Sequence, residues 1–300
     1  MSRGIARPGR PWPVRLATPD RRVDVDAGDG LLLHVEQSGQ GPAIVLLHGF
    51  TGSSASWAIL RAALDPTYTT LAVDLPGHGR SSSPSDTARY ALTRVADDIV
   101  RVLDALELDR VALLGYSMGG RAALRVTLAH PDRVAALVLE STSPGIEDPV
   151  RRAERLAADL QLATSIERDG VDAFVARWED MPMWTSQRSL PDSMLDAQRT
   201  QRRANDALGL ANSLRGAGAG VDESVMHRLA GLTVRSLVVV GALDEPYVAL
   251  GRSMQQALPD ARLTVVPGSG HAVHLERSVA FADAVLAFLA GVPSVGARWP

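Results

Sequence analysis

Ser117 sits between two glycines in the run GYSMGG, Gly115 to Gly120, at G-x-S-x-G spacing. That spacing suits a serine on a tight strand-to-helix turn, where glycines relieve the crowding of a strained backbone. A serine hydroxyl does little at neutral pH unless an imidazole takes its proton, and the imidazole needs a carboxylate to fix its tautomer. Both follow in the chain, Asp244 after SLVVVGALD and His271 after LTVVPGSG. Glu140, closing ALVLE, is the second candidate acid. His271 is preferred to His274 because it directly follows the glycine turn; His274 is expected to pack or to face solvent. His34, His130 and His227 read as surface or element-end histidines. In LHGF, the Phe50 N–H can pair with the Met118 N–H as an oxyanion hole. His48 reads there as a loop anchor, and PGHGRS (Pro76 to Ser81) as loop scaffolding. His48, His78 and His271 lie in separate loops without ligand spacing, so no metal site is expected. Arg121 falls four residues after Ser117, one helical turn on along the same face. A hydrolase of neutral esters has little use for a permanent cation there.

These groups need a scaffold that brings distant loops together. Short apolar runs alternate with helix-like segments: LLLHVEQSG, AIVLLHGF, TTLAVDLPGHG, RVALLGYS, RVAALVLEST, VRSLVVVGALD and ARLTVVPGSGH. Nearly continuous apolar strands separated by helices imply a parallel sheet covered on both faces, so the fold class is α/β. A helix is expected around Leu250 to Leu258. Residues 144–230 break the rhythm, with helical stretches and no β-branched strand run. They are expected to form a helical lid over the carboxyl edge of the sheet, where open α/β sheets bind ligands. The core then comprises residues 23–143 and 231–292, after a disordered Arg- and Pro-rich leader (1–22) and before a short tail (293–300).

Composition narrows the field. The 300 residues are 46% hydrophobic and 22% charged with a net charge of −3, as in an ordinary globular chain. No apolar run approaches a membrane span, and the basic N-terminus lacks the apolar stretch of a secretory signal. Cytoplasmic residence without membrane association is the expectation. There is no cysteine, which excludes disulfides and a thiol nucleophile, and all 31 basic residues are arginine. Any buried cation is therefore a guanidinium with bidentate reach for carboxylates. The charges are dispersed, which argues against a nucleic-acid partner. Nothing in the sequence speaks to oligomeric state.

HGF, DLPGHGRS, GYSMGG, GALDE and PGSGH together resemble the α/β-hydrolase superfamily over roughly residues 30–292. GFTGSSASW, GYSMGGR, ESTSPGI, RRAERLA, FVARW, RRANDALGLANSLRGAG and PGSGHAVHLE extend the resemblance through the lid. They resemble the 2-succinyl-6-hydroxy-2,4-cyclohexadiene-1-carboxylate synthase family of menaquinone biosynthesis. The resemblance implies a cofactor-free lyase in which Ser117, relayed through His271 and Asp244, removes a ring proton. Pyruvate then leaves 2-succinyl-5-enolpyruvyl-6-hydroxy-3-cyclohexene-1-carboxylate. It also implies a small polycarboxylate substrate held by Arg121, Arg155 (or Arg152) and Arg202 (or Arg203), with Tyr116 and Trp178 lining the pocket. Two departures stand out. The acid motif reads GALDEPY, where the family more often has a basic residue and Phe after the aspartate. The lid carries 14 Asp and Glu against 11 Arg, so only local placement can make its pocket positive. A serine carboxylesterase or C–C bond hydrolase, acylated on Ser117, is the alternative on the same scaffold. A non-catalytic ligand receptor is the third reading, disfavoured by the complete triad.

Overall fold

A computed structural model describes residues 19–292, so most of the expected leader and all of the tail lie outside the described residues. Eight strands form one sheet in the order β1-β2-β4-β3-β5-β6-β7-β8. They are β1 (Arg21–Asp26), β2 (Leu32–Ser38), β3 (Ala43–Leu47), β4 (Thr69–Val73), β5 (Val111–Tyr116), β6 (Val134–Glu140), β7 (Ser236–Gly241) and β8 (Ala261–Val266). The pairs β1–β2 and β2–β4 are antiparallel, and every other pair is parallel. The pleat divides the core. Val45, Leu47, Leu113 and Val238 face α2 (Leu92–Ala105), α3 (Met118–Ala129) and α8 (Glu245–Ala257). Ile44, Leu46, Leu114 and Val239 face α1 (Ala58–Leu64) and α10 (Ser278–Leu289). Helix α8 begins before the expected Leu250, because Pro246 fits the first turn of a helix.

Strand β1 was not expected. It starts at Arg21, inside the stretch assigned to the leader, and buries only Val25 fully. Its alternating charges hide it from an apolar-run search, yet they meet partners across the ladder. Arg22 pairs with Glu36 and Asp24 with His34, each directly opposite in register. His34 is accordingly a buried mid-strand residue, its Nδ1 2.7 Å from Asp24, and not a surface histidine.

Between β6 and β7 the chain leaves the sheet at its carboxyl edge and forms α4 (Pro149–Asp169), α5 (Val171–Glu179), α6 (Asp192–Arg203) and α7 (Ala207–Ala217). Ala163, Ile166, Phe174, Val175, Leu210, Ala211 and Leu214 give this insertion a small core of its own. Among the described residues no helix is long and apolar enough to cross a membrane.

The loops at the carboxyl ends of β3 and β4 are locked by two buried neutral histidines. His48 Nδ1–H donates to Gly49 O at 2.8 Å, while its Nε2 accepts the Leu75 N–H at 3.0 Å. His78 Nδ1–H donates to Pro76 O at 3.0 Å, with the two rings 5.1 Å apart. Burial pushes His48 down to about 4 and His78 down to about 3.

Two outcomes are expected. Both histidine values are depressed below 6.5, so the unfolded chain binds these protons first. Their stabilisation is complete above that pH and is lost as pH falls toward about 4 and then about 3. Denaturant titrations between pH 6 and 4.5 should show an added slope of about 2.7 kcal/mol per pH unit from the two protons. His78→Asn, which keeps a donor for Pro76, should remove about half of it. A Cβ on Gly119 would lie 2.1 Å from Leu47 O, where α3 meets the end of β3. Gly119→Ala should lower unfolding free energy by about 3 kcal/mol, read from the urea midpoint.

Candidate active site

Strand β5 delivers Ser117 and α3 begins immediately after it. Ser117 has φ 50° and ψ −109°, a strained backbone for a residue with a side chain. Its neighbours hold it there. The Ser117 N–H donates to Glu140 O at 2.9 Å, and the Thr142 hydroxyl donates to Ser117 O at 2.6 Å. Asp244 follows β7, and His271 lies in the turn between β8 and α9 (Val273–Glu276). These two ends meet because a Cβ on Gly241 would fall 2.0 Å from Gly270 O, so only glycine admits the approach.

The three side chains selected from sequence spacing converge. Ser117 Oγ is 3.1 Å from His271 Nε2, and His271 Nδ1 is 2.7 Å from Asp244 Oδ2. An Nδ1–H donated to the carboxylate leaves Nε2 as the acceptor for the serine proton. Glu140 does not compete for His271. It is fully buried and bound to His274 Nδ1 at 2.8 Å, so His274 is a buried partner of Glu140 rather than a solvent-facing side chain. His130 lies at the surface on Asp97, and His227 is exposed, as their sequence positions suggest.

Ser117 and His271 open onto a cavity of about 530 Å³ walled by the core and the insertion. Phe50, Met118, Tyr116, Trp178, Arg121 and Arg155 line it. The Phe50 and Met118 amides make no hydrogen bond within the described residues, which leaves both donors for an anionic oxygen. Trp178 packs edge-on against Phe50 with ring centroids 5.5 Å apart, and its indole N–H is buried without an acceptor among the described residues. Tyr116 stands beside His271, with centroids 5.4 Å apart. Tyr247, from the departing GALDEPY motif, was missed; its ring lies 4.6 Å from that of His271. Burial raises the pKa of both phenols.

The three arginines are placed differently from one another. Arg121 is 9% exposed, and its guanidinium donates to Ala217 O at 2.8 Å and Gly218 O at 3.0 Å, at the end of α7. Its nearest carboxylate, Asp222, stands 3.7 Å away. Burial lowers its pKa, with Asp222 opposing that shift. Arg155 is half-exposed and uses Nε on Asp159 at 2.8 Å, leaving its terminal nitrogens unbonded among the described residues. Arg152 does not line the cavity. Arg202 stands apart from the other two. It lines a neighbouring cavity of about 910 Å³ that shares the walls Phe50, Tyr116 and Trp184. There it lies over Trp184 and donates to Glu179 and Gln198. Arg203 points away to a surface pair with Asp172. Asp159, Arg177, Met181 and Met183 also line the serine cavity, and sequence spacing singled out none of them.

Comparison with known proteins fits this arrangement. Residues 42–278 match the family model described as alpha/beta hydrolase fold. A putative 2-succinyl-6-hydroxy-2,4-cyclohexadiene-1-carboxylate synthase of Bacillus subtilis (strain 168) is 40% identical over 272 residues, covering 90% of this chain and 99% of that one. The synthase of that name from Serratia proteamaculans (strain 568) is 30% identical, over 86% of this chain and 98% of its own. Among solved structures, MenH from S. aureus superposes with a TM-score of 0.82 at 30% identity, covering 85% of this chain and 97% of that one. With the elbow, the sheet order and these matches in agreement, the chain belongs to the α/β-hydrolase fold family and, within it, to the family of these synthases.

Proposed function

We propose that the chain is a lyase that eliminates pyruvate from 2-succinyl-5-enolpyruvyl-6-hydroxy-3-cyclohexene-1-carboxylate, giving 2-succinyl-6-hydroxy-2,4-cyclohexadiene-1-carboxylate. Ser117 Oγ takes the proton from the ring carbon bearing the succinyl group, as His271 Nε2 takes the hydroxyl proton. Asp244 stabilises the imidazolium that forms. The freed electron pair passes through the ring double bond, and the bond to the enolpyruvyl oxygen breaks. His271 returns its proton through Ser117 to the departing enolate, which becomes pyruvate. The Phe50 and Met118 amides stabilise charge on the succinyl carbonyl oxygen as the proton leaves. No covalent intermediate is needed, and the helical insertion serves as the lid that excludes water.

The observation that carries this reading is Arg121. A guanidinium buried on the wall of the serine cavity, with neutral carbonyls as its short partners, favours an anionic ligand. The substrate supplies three carboxylates. Arg155 offers unbonded terminal nitrogens on the same wall for a second. Arg202 can serve a third across the shared wall of Phe50, Tyr116 and Trp184.

The free amide pair also suits the tetrahedral oxyanion of ester hydrolysis, which keeps a hydrolase as the second reading. Pyruvate release from the enolpyruvyl substrate separates the two. Ser117→Ala should lower kcat about 10³- to 10⁴-fold. Arg121→Met should lower kcat/KM about 10²-fold. Arg155→Ala should raise KM about 10-fold, as loss of one exposed charge-assisted contact. Rapid turnover of p-nitrophenyl esters unaffected by Arg121→Met, with no pyruvate formed, would establish the hydrolase instead.

A further inference from the structure

The turn that carries His271 is gripped by two buried carboxylates outside the Ser117–His271–Asp244 relay. Glu276, 6% exposed, accepts the Gly270 N–H on Oε2 at 2.6 Å and the Ala272 N–H on Oε1 at 3.2 Å. Those are the amides of the residues on either side of His271. Glu140 accepts the next alternate amide, His274 N–H, at 2.9 Å. The Glu140 main chain also holds the Ser117 amide, so its side chain and backbone tie the histidine turn to the elbow.

We infer that Glu276 is the positioning residue of the relay, fixing the direction in which His271 presents Nε2 to Ser117. Each carboxylate–amide bond is charge-assisted and directional. Two such bonds, one before and one after His271, orient the backbone from which its Cα–Cβ bond projects. An ordinary helix cap would account for less. Glu276 closes the four-residue helix α9, whose N-cap is Ala272, and a cap needs only the bond to that residue. The shorter bond reaches past it to Gly270, on the far side of the histidine. Among the described residues these two amides are its carboxylate's only hydrogen-bond partners, so a costly buried charge is spent on the turn alone.

This inference rests on the relay proposed above, not on the identity of the substrate. The test is Glu276→Gln, which keeps the shape but has one acceptor oxygen and turns an amide donor toward the second N–H. The control is Asp98→Asn, a fully buried carboxylate on α2 paired with Arg89 and outside the site. Two rates are read, pyruvate release and phosphonylation of Ser117 by diisopropyl fluorophosphate, together with Tm. Glu276→Gln should lower kcat and the phosphonylation rate together, about 10- to 100-fold, with KM within about twofold of wild type. Asp98→Asn should lower Tm and leave both rates unchanged. Glu276→Asp, able to reach one amide, should fall between wild type and Gln, and it serves as the readout where the Gln variant does not fold. Wild-type rates in Glu276→Gln, a loss confined to KM, or equal losses in the control would overturn the inference. A wild-type chain that is phosphonylated but releases no pyruvate removes the elimination reading and leaves this inference to the labelling rates. A wild-type chain that does neither removes the relay and this inference with it.

Discussion

The strained backbone at Ser117 is the constraint around which the rest of the molecule is arranged. A φ of 50° with ψ of −109° costs of order 1–3 kcal/mol for a residue bearing a side chain. It persists because the end of β6 grips the serine on both sides, through Glu140 O and the Thr142 hydroxyl. The close approach of Gly119 to β3 and of Gly241 to Gly270 draws in the loops that carry Phe50 and His271. One strained residue thus sets where two free amides, an imidazole and a carboxylate must converge. The two buried neutral histidines behind the Phe50 loop belong to the same design, since His48 holds the Gly49 carbonyl and the Leu75 amide while His78 holds the Pro76 carbonyl.

Charge is layered across the site. Behind His271 lie Asp244, Glu140 and Glu276, all carboxylates bound to the imidazole or to its turn and neighbours. In front of Ser117 lie Arg121 and Arg155, on the cavity wall contributed by α3 and by the insertion. Such a field favours proton flow from the cavity toward the histidine, and it favours anions in the cavity itself. The insertion is net acidic, yet many of its acidic groups are consumed in local pairs. Asp159 takes Arg155 Nε, Glu167 takes Arg215 and Asp169 takes Arg168. Placement rather than totals decides the sign of the pocket.

Much of this was legible in the sequence because it is carried by local pattern. Strands β2 to β8 are apolar runs, the elbow is a glycine-serine spacing, and the acid and histidine each follow a strand. What escaped depends on partners far along the chain. Strand β1 is charged on its exposed positions and makes sense only against Glu36 and His34. Arg121 is anchored by carbonyls 96 and 97 residues away, so its spacing from Ser117 foretold its face but not its partners. Arg202 lies on the same insertion as Arg155 but across a wall formed by Phe50, Tyr116 and Trp184, which no spacing rule could show. His274 and Glu140 looked like spare candidates for the triad until β5–β6 pairing and α9 brought them to each other.

The claim at the centre of this account is that Arg121 and Ser117 meet the same molecule, one gripping a carboxylate while the other takes a ring proton. A crystal structure of the Ser117→Ala variant with the intact enolpyruvyl substrate tests it most directly. The account predicts a substrate carboxylate within hydrogen-bond distance of the Arg121 guanidinium, a second on Arg155, and the succinyl-bearing ring carbon facing the vacated serine position beside His271. A ligand bound with Arg121 still engaged only by Ala217 and Gly218, and with that ring carbon turned away from His271, would contradict it.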